Sequence, residues 1–261
     1  MSIVGSVDSV WRYPVKSMRG EALDQAFVGF SGVYGDRLFA FQSAAKSKGF
    51  PWLTAREQRE MLRYQPRFRH PELAHMPLNC AEAEKVGATA VFADIADLVV
   101  DVETPDGDVL AIDDLALHQR LSSEQALTLI RSHRALTDCS PVSLISLQTV
   151  HQLGQELGTT IDSRRFRANL YLNLEAEGGF VEDAWVGRSL RIGPRVVIAL
   201  LARDARCAMI TFDPDTGVSD PGILRQVAQG HESRAGVYGA VLVEGLVSPG
   251  ETIELLDGVI F

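Results

Sequence analysis

Residues 237–256 read VYGAVLVEGLVSPGETIELL. Two runs rich in aliphatic and β-branched residues, 237–244 and 251–256, flank Ser248-Pro249-Gly250, so the stretch predicts two strands joined through a turn. Upstream, a strand over 167–174 and a hairpin around Gly193-Pro194 continue the pattern. So many short strands favour a barrel, which closes its own edges. In the first half, residues 2–12 run to Pro14, residues 36–43 (DRLFAFQS) are rich in aromatics, and residues 97–112 straddle Pro105-Asp106-Gly107. All three suit strands or hairpins.

Helices are marked by their caps. Thr54 and Glu57 have capping-box spacing and predict a helix to about Arg63, before Pro66. Helical spacing of apolar residues over Asp113–Arg131, and over 146–157 up to Gly158, predicts two more. Asp220 before Pro221 sets an N-cap beside an N1 proline, starting a helix that stops by Gly230. The expected class is mainly β with interspersed helices, an α+β fold. A boundary near residue 125 divides residues 1–125 from residues 126–261.

The 261-residue chain carries a formal net charge of −9, which argues against a nucleic-acid partner held by overall field. Its opening, MSIVGSVDSV, lacks a basic segment followed by a long apolar one, and the longest apolar run, Val196 to Ala202, has seven residues. No membrane span is expected. Cys80, Cys139 and Cys207 are far apart and odd in number, which disfavours a disulfide framework, a zinc site or an iron–sulfur centre and suits a cytoplasmic setting. No HExxH, GxSxG or P-loop pattern occurs, and the GxGxxG spacing is missing around Gly29, Gly32 and Gly35.

The segment richest in chemistry is Arg203–Gly217, RDARCAMITFDPDTG. Neighbouring guanidinium groups would favour the thiolate of Cys207, the form that binds metal. The alternative is a buried cysteine acting as a small hydrophobe. Four other segments stand out. Tyr13–Gly20 (YPVKSMRG) places an ammonium and a hydroxyl, Lys16 and Ser17, beside a turn, where they suit a phosphate oxygen or are simply solvated. Gly35-Asp36-Arg37, Asp138-Cys139-Ser140-Pro141 and Phe166-Arg167-Ala168-Asn169 complete the set.

Together these segments resemble the MOSC-domain family with its N-terminal MOSC barrel domain, as in the mitochondrial amidoxime reducing component and its bacterial relatives. The likeness runs from residue 4 to about residue 256. It implies a MOSC-type β-barrel packed with an N-terminal barrel-like domain. It also implies the molybdenum cofactor (Mo-molybdopterin), with Cys207 as catalytic metal ligand and Lys16, Ser17, Arg37, Cys139, Ser140, Arg167, Asn169, Arg206 and Tyr238 around the pterin. Cys139 replaces the family's threonine and Ala168 its proline. Phe180–Trp185 (FVEDAW) echoes another family stretch, although Phe180 and Trp185 read better as core. Pyridoxal phosphate binding is associated with the family as a whole.

Lys16, Arg37, Arg167 and Arg206 would form a positive pocket for an anionic pterin in an acidic chain. The function implied is reduction of N-hydroxylated small molecules such as amidoximes, hydroxylamines and N-hydroxylated base analogues. Electrons would come from a separate flavin, haem or ferredoxin protein, and a proton from Asp213 or another acid near the loop. A non-catalytic cofactor carrier or sulfur-handling protein is the alternative, and an interaction module with an inert Cys207 a third.

Overall fold

The long first strand, β1 (Ser2–Arg12), alternates buried and exposed side chains, with Val7 and Val10 turned into an apolar core. The fold built on it was obtained as a computed structural model that describes residues 2–44, 50–87, 97–122 and 126–257. After β1 come β2 (Glu21–Leu23), β3 (Ala26–Gly29), β4 (Gly32–Val33), β5 (Phe39–Ser43), β6 (Gln65–Phe68), α1 (Cys80–Val86), β7 (Val100–Glu103), β8 (Val109–Ala111), α2 (Leu115–Leu121) and β9 (Leu127–Arg131). The second half supplies β10 (Val142–Ser146), α3 (Leu147–Leu157), β11 (Leu170–Leu174), β12 (Ser189–Ile192), β13 (Val196–Ala205), α4 (Pro221–Gly230), β14 (Arg234–Val243), β15 (Gly245–Val247) and β16 (Thr252–Leu256).

Seven strands close into a barrel in the order β11-β10-β14-β13-β12-β16-β1, with β1 returning to pair antiparallel with β11 at Val7↔Leu172. The stave that closes the barrel therefore comes from the chain's start. β10 and β11 are parallel, so their connection must cross over, and α3 makes the crossing. Val7, Leu144, Leu172, Leu190, Ile198, Val237 and Ile253 fill the interior. The register of β13 against β14 slips between Leu200 and Ala202 and again between Arg203 and Ala205. Such bulges re-aim side chains, and these lie just before Cys207.

The rest of the first half forms small sheets, β6-β7-β8 and β5-β9, around a second core that includes Phe39, Phe41, Met61, Leu117 and Leu121, and β15-β3-β4, whose Ala26, Val28, Val33 and Val247 join the barrel core. β15, between the two strands read from residues 237–256, leaves the barrel to pair with β3.

Three expectations change. The predicted helix over Asp113–Arg131 ends at Leu121, and Leu127–Arg131 is a strand paired with β5. Leu117 and Leu121 share a helical face, whereas the β-branched Thr128 and Ile130 alternate with Leu127 and Leu129, a strand pattern concealed by the same apolar content. The boundary near residue 125 falls outside the described residues. Glu57 does bond back to the Thr54 amide and hydroxyl, at 3.0 and 2.6 Å, but the chain continues as a turn and a short 3-10 helix over Arg59–Arg63. The strand expected from residue 36 starts at Phe39, because Arg37 is left-handed at φ 47°.

The capped helices form as expected. Ser146 and Asp220 accept N-terminal amides, and Gly158 closes α3 at φ 68°.

Candidate functional site

The ring of Tyr13, buried just after β1, lies beneath two guanidinium groups: Arg37 Cζ is 4.7 Å and Arg167 Cζ 4.2 Å from its centroid. Arg37 also pairs with Asp36 and donates to Arg167 O at 3.0 Å, while Arg167 donates to Met18 O at 2.8 Å. Burial, with the Arg37 charge adding to it, brings the Arg167 pKa down to about 10. For Arg37, burial is outweighed by the Asp36 and Tyr13 charges, and its pKa stands above the ordinary value.

Arg37 and Arg167 line a cavity of about 190 Å³ whose wall draws on both halves of the chain. Lys16, Ser17, Arg37, Ser140, Arg167, Asn169, Arg206, Cys207 and Tyr238 all line it. Cys139 is exposed and is not part of that wall; its sulfur lies 4.0 Å from Ser140 Oγ. Lys16 Nζ donates to Leu136 O at 2.7 Å and pairs with Asp138; burial lowers its pKa despite that carboxylate.

Two predicted contacts are engaged by the protein itself. Asn169 accepts from Ser143 N at 3.2 Å and donates to Trp11 O at 3.3 Å, so its amide ties β10 to β1. Arg206 donates from Nε to Ala235 O (2.7 Å) and from Nη1 to Phe166 O (2.9 Å). Its tip fits because residue 236 is glycine at φ 77°, where a Cβ would come within 3.2 Å of Nη2 and 2.5 Å of Leu144 O. Arg203, expected beside Cys207, is bound instead to Asp183 at 2.8 Å and Glu232 at 2.9 Å.

Sequence reading missed Tyr13, Asp204 and Arg56. Asp204 is 1% exposed; its Oδ2 accepts from Ser143 Oγ at 2.8 Å, and burial raises its pKa although Arg206 opposes the shift. Arg206 Nη2 stands 2.9 Å from Asp204 Oδ2, a buried ion pair in the cavity wall, and Asp204 also bonds the Tyr238 side chain.

Asp213 has the opposite character. It accepts from Asp215 N, Thr216 N and Thr216 Oγ1 at 2.9 to 3.1 Å and pairs with Arg165. Burial works against its charge, but the Thr216 and Asp215 donors prevail and hold its pKa below the usual range. It pins the DPDTG turn and is not on the cavity wall. Phe180 and Trp185 pack as core, Phe180 stacking on His231 with centroids 3.7 Å apart. Among the described residues no three His, Cys, Asp or Glu side chains gather to hold a metal.

Residues 131–254 match the MOSC domain, and residues 4–123 match the MOSC N-terminal beta barrel domain. The chain belongs to the MOSC family. This MOSC protein is 28% identical over 244 residues to mitochondrial amidoxime reducing component 2 of Bos taurus, across 83% of this chain and 69% of that one. It is 24% identical over 253 residues to mitochondrial amidoxime-reducing component 1 of Mus musculus, across 83% and 68%. The solved YUAD protein from Bacillus subtilis aligns over 97% of this chain and 96% of that one, at 11% identity and a TM-score of 0.49. No helix among the described residues is long and apolar enough to cross a membrane.

Proposed function

We propose that this MOSC protein is a molybdenum-cofactor-dependent reductase of N-hydroxylated compounds, supplied with electrons by a separate flavin, haem or ferredoxin protein. The observation that carries the reading is one thiol, Cys207, sharing a cavity wall with Lys16, Arg37 and Arg167 in a chain of net charge −9. That donor set fits the cofactor. A single protein sulfur suffices where a pterin dithiolene brings two more, and the cations suit a pterin and its phosphate. Relatives named for amidoxime reduction support the substrate class.

Cys207 would hold the metal, with Lys16, Ser17, Arg37, Ser140, Arg167 and Tyr238 around the organic part. Once bound, the group supplies the two-electron chemistry that removes oxygen from nitrogen. The chain's own residues bind, orient and manage protons. Arg37 and Arg167, fixed on Tyr13, are preorganised cations that need no rearrangement to meet an anion. Asp204, held above the usual carboxylate range, is the cavity acid suited to holding a proton, whereas Asp213 is kept ionised by its donors.

The test is turnover of benzamidoxime by molybdenum-loaded, chemically reduced protein. Benzamidine formed in proportion to bound molybdenum is expected. A fully loaded protein that forms none would overturn the reductase reading in favour of a cofactor carrier.

A further inference from the structure

Most cations of the cavity wall are bound within the protein. Lys16 has Leu136 O and Asp138, Arg37 has Asp36 and Arg167 O, and Arg165 has Thr211 O and Asp213. Arg167 has Met18 O, and Arg206 has Ala235 O, Phe166 O and Asp204. Arg56, also on the wall, has neither a carboxylate nor a carbonyl partner among the described residues. Its Nε reaches only Thr54 Oγ1, at 3.3 Å. It is nonetheless held in place, because its guanidinium lies 4.5 Å from the centroid of Phe50 and the turn beneath it is locked by the Thr54–Glu57 bonds. The same ring lies 5.8 Å from Lys16 Nζ, so Phe50 links the exposed cation to the deeper ones. Three residues on, exposed Arg59 stands over Phe212 at 5.0 Å, again without a carboxylate.

A solvated guanidinium with no anion, fixed on an aromatic ring at the edge of a cavity, is poised for an anion from outside the protein. An acidic chain repels small anions at long range, so admitting one requires a local cation at the point of entry. We propose that Arg56 is a specificity residue that binds the carboxylate or phosphate of an N-hydroxylated substrate, with Phe50 offering its ring to a flat substrate body. This inference rests on the reductase reading and narrows its substrate class to anionic compounds.

The test compares benzamidoxime with 4-carboxybenzamidoxime on the molybdenum-loaded wild type, Arg56→Gln and Arg56→Lys, using a chemical reductant. In Arg56→Gln the ratio of kcat/KM for the carboxylated over the neutral compound should fall about fivefold, mainly through KM, with Arg56→Lys recovering part of it. Calorimetric binding of the two compounds to the same proteins gives a readout independent of turnover. Tighter binding of the carboxylated compound that weakens in Arg56→Gln and at high salt supports the proposal, even if neither compound is reduced and the reductase reading falls. A ratio unchanged by Arg56→Gln, together with equal binding, overturns it. So does a loss of kcat/KM that is equal for both compounds, which would give Arg56 a role that does not depend on the substrate's charge.

Discussion

Ser17, Arg37 and Arg167 are three of the six non-glycine residues with positive φ among those described, at 68°, 47° and 52°. Each such conformation costs about 1–2 kcal/mol, so their gathering on one cavity wall marks stability given up for a binding geometry. Arg167 adds a charge cost. Its folded-state pKa of about 10 lies below the ordinary arginine value, so the cost is fully present below pH 10 and fades as the pH climbs above it. At pH 7 the protein bears all of it. Arg167→Met should therefore melt no lower than wild type, and up to about 4 °C higher, while inorganic phosphate raises the wild-type Tm more than the variant's. A variant that melts far below wild type without phosphate would contradict this. Lys16, Arg37, Arg167 and Arg206 were legible because each sits in a short motif, whereas Asp204 and Arg56 carry no such mark. Tyr13 was not, since its role depends on two guanidinium groups brought from distant parts of the chain.

The two helices α3 and α4 could be read from their caps, whereas the shortest strands, defined by packing alone, could not. Ser146, Gly158, Asp220 and Pro221 announce α3 and α4, whereas β3 and β15 are short apolar runs without clear alternation. The same helix α3 depends on a residue no pattern reveals. Glu182 is fully buried and accepts from Ser146 N, Ser146 Oγ and Thr149 Oγ1 at 2.8 to 3.0 Å. It joins the Val181–Trp185 turn to the start of α3, which itself bridges the parallel strands β10 and β11. Removing it strands buried donors, so Glu182→Ala should lose about 3 kcal/mol in urea unfolding. The phosphate-induced Tm shift should survive, because Glu182 does not line the cavity. A loss below about 1 kcal/mol would show that the buried carboxylate is dispensable.

On the scale of the molecule, the barrel class could be read from strand density and turns, but its closure could not. β1 completes the barrel and the chain just beyond it supplies Tyr13, Lys16 and Ser17, while Arg167, Arg206 and Cys207 enter from the other half. Hydrophobic periodicity carries no information about that convergence, and only the spacing of charged motifs hinted at it. The junction thus sets a thiol among fixed cations in an otherwise acidic protein. Elemental analysis of molybdenum per chain, on wild type and Cys207→Ser made in a host with abundant cofactor, tests that arrangement most directly. Metal close to one atom per chain in wild type is predicted, with sharply less, or a catalytically dead centre, in the variant. Wild-type protein free of molybdenum, or a serine variant that keeps both metal and turnover, would contradict it.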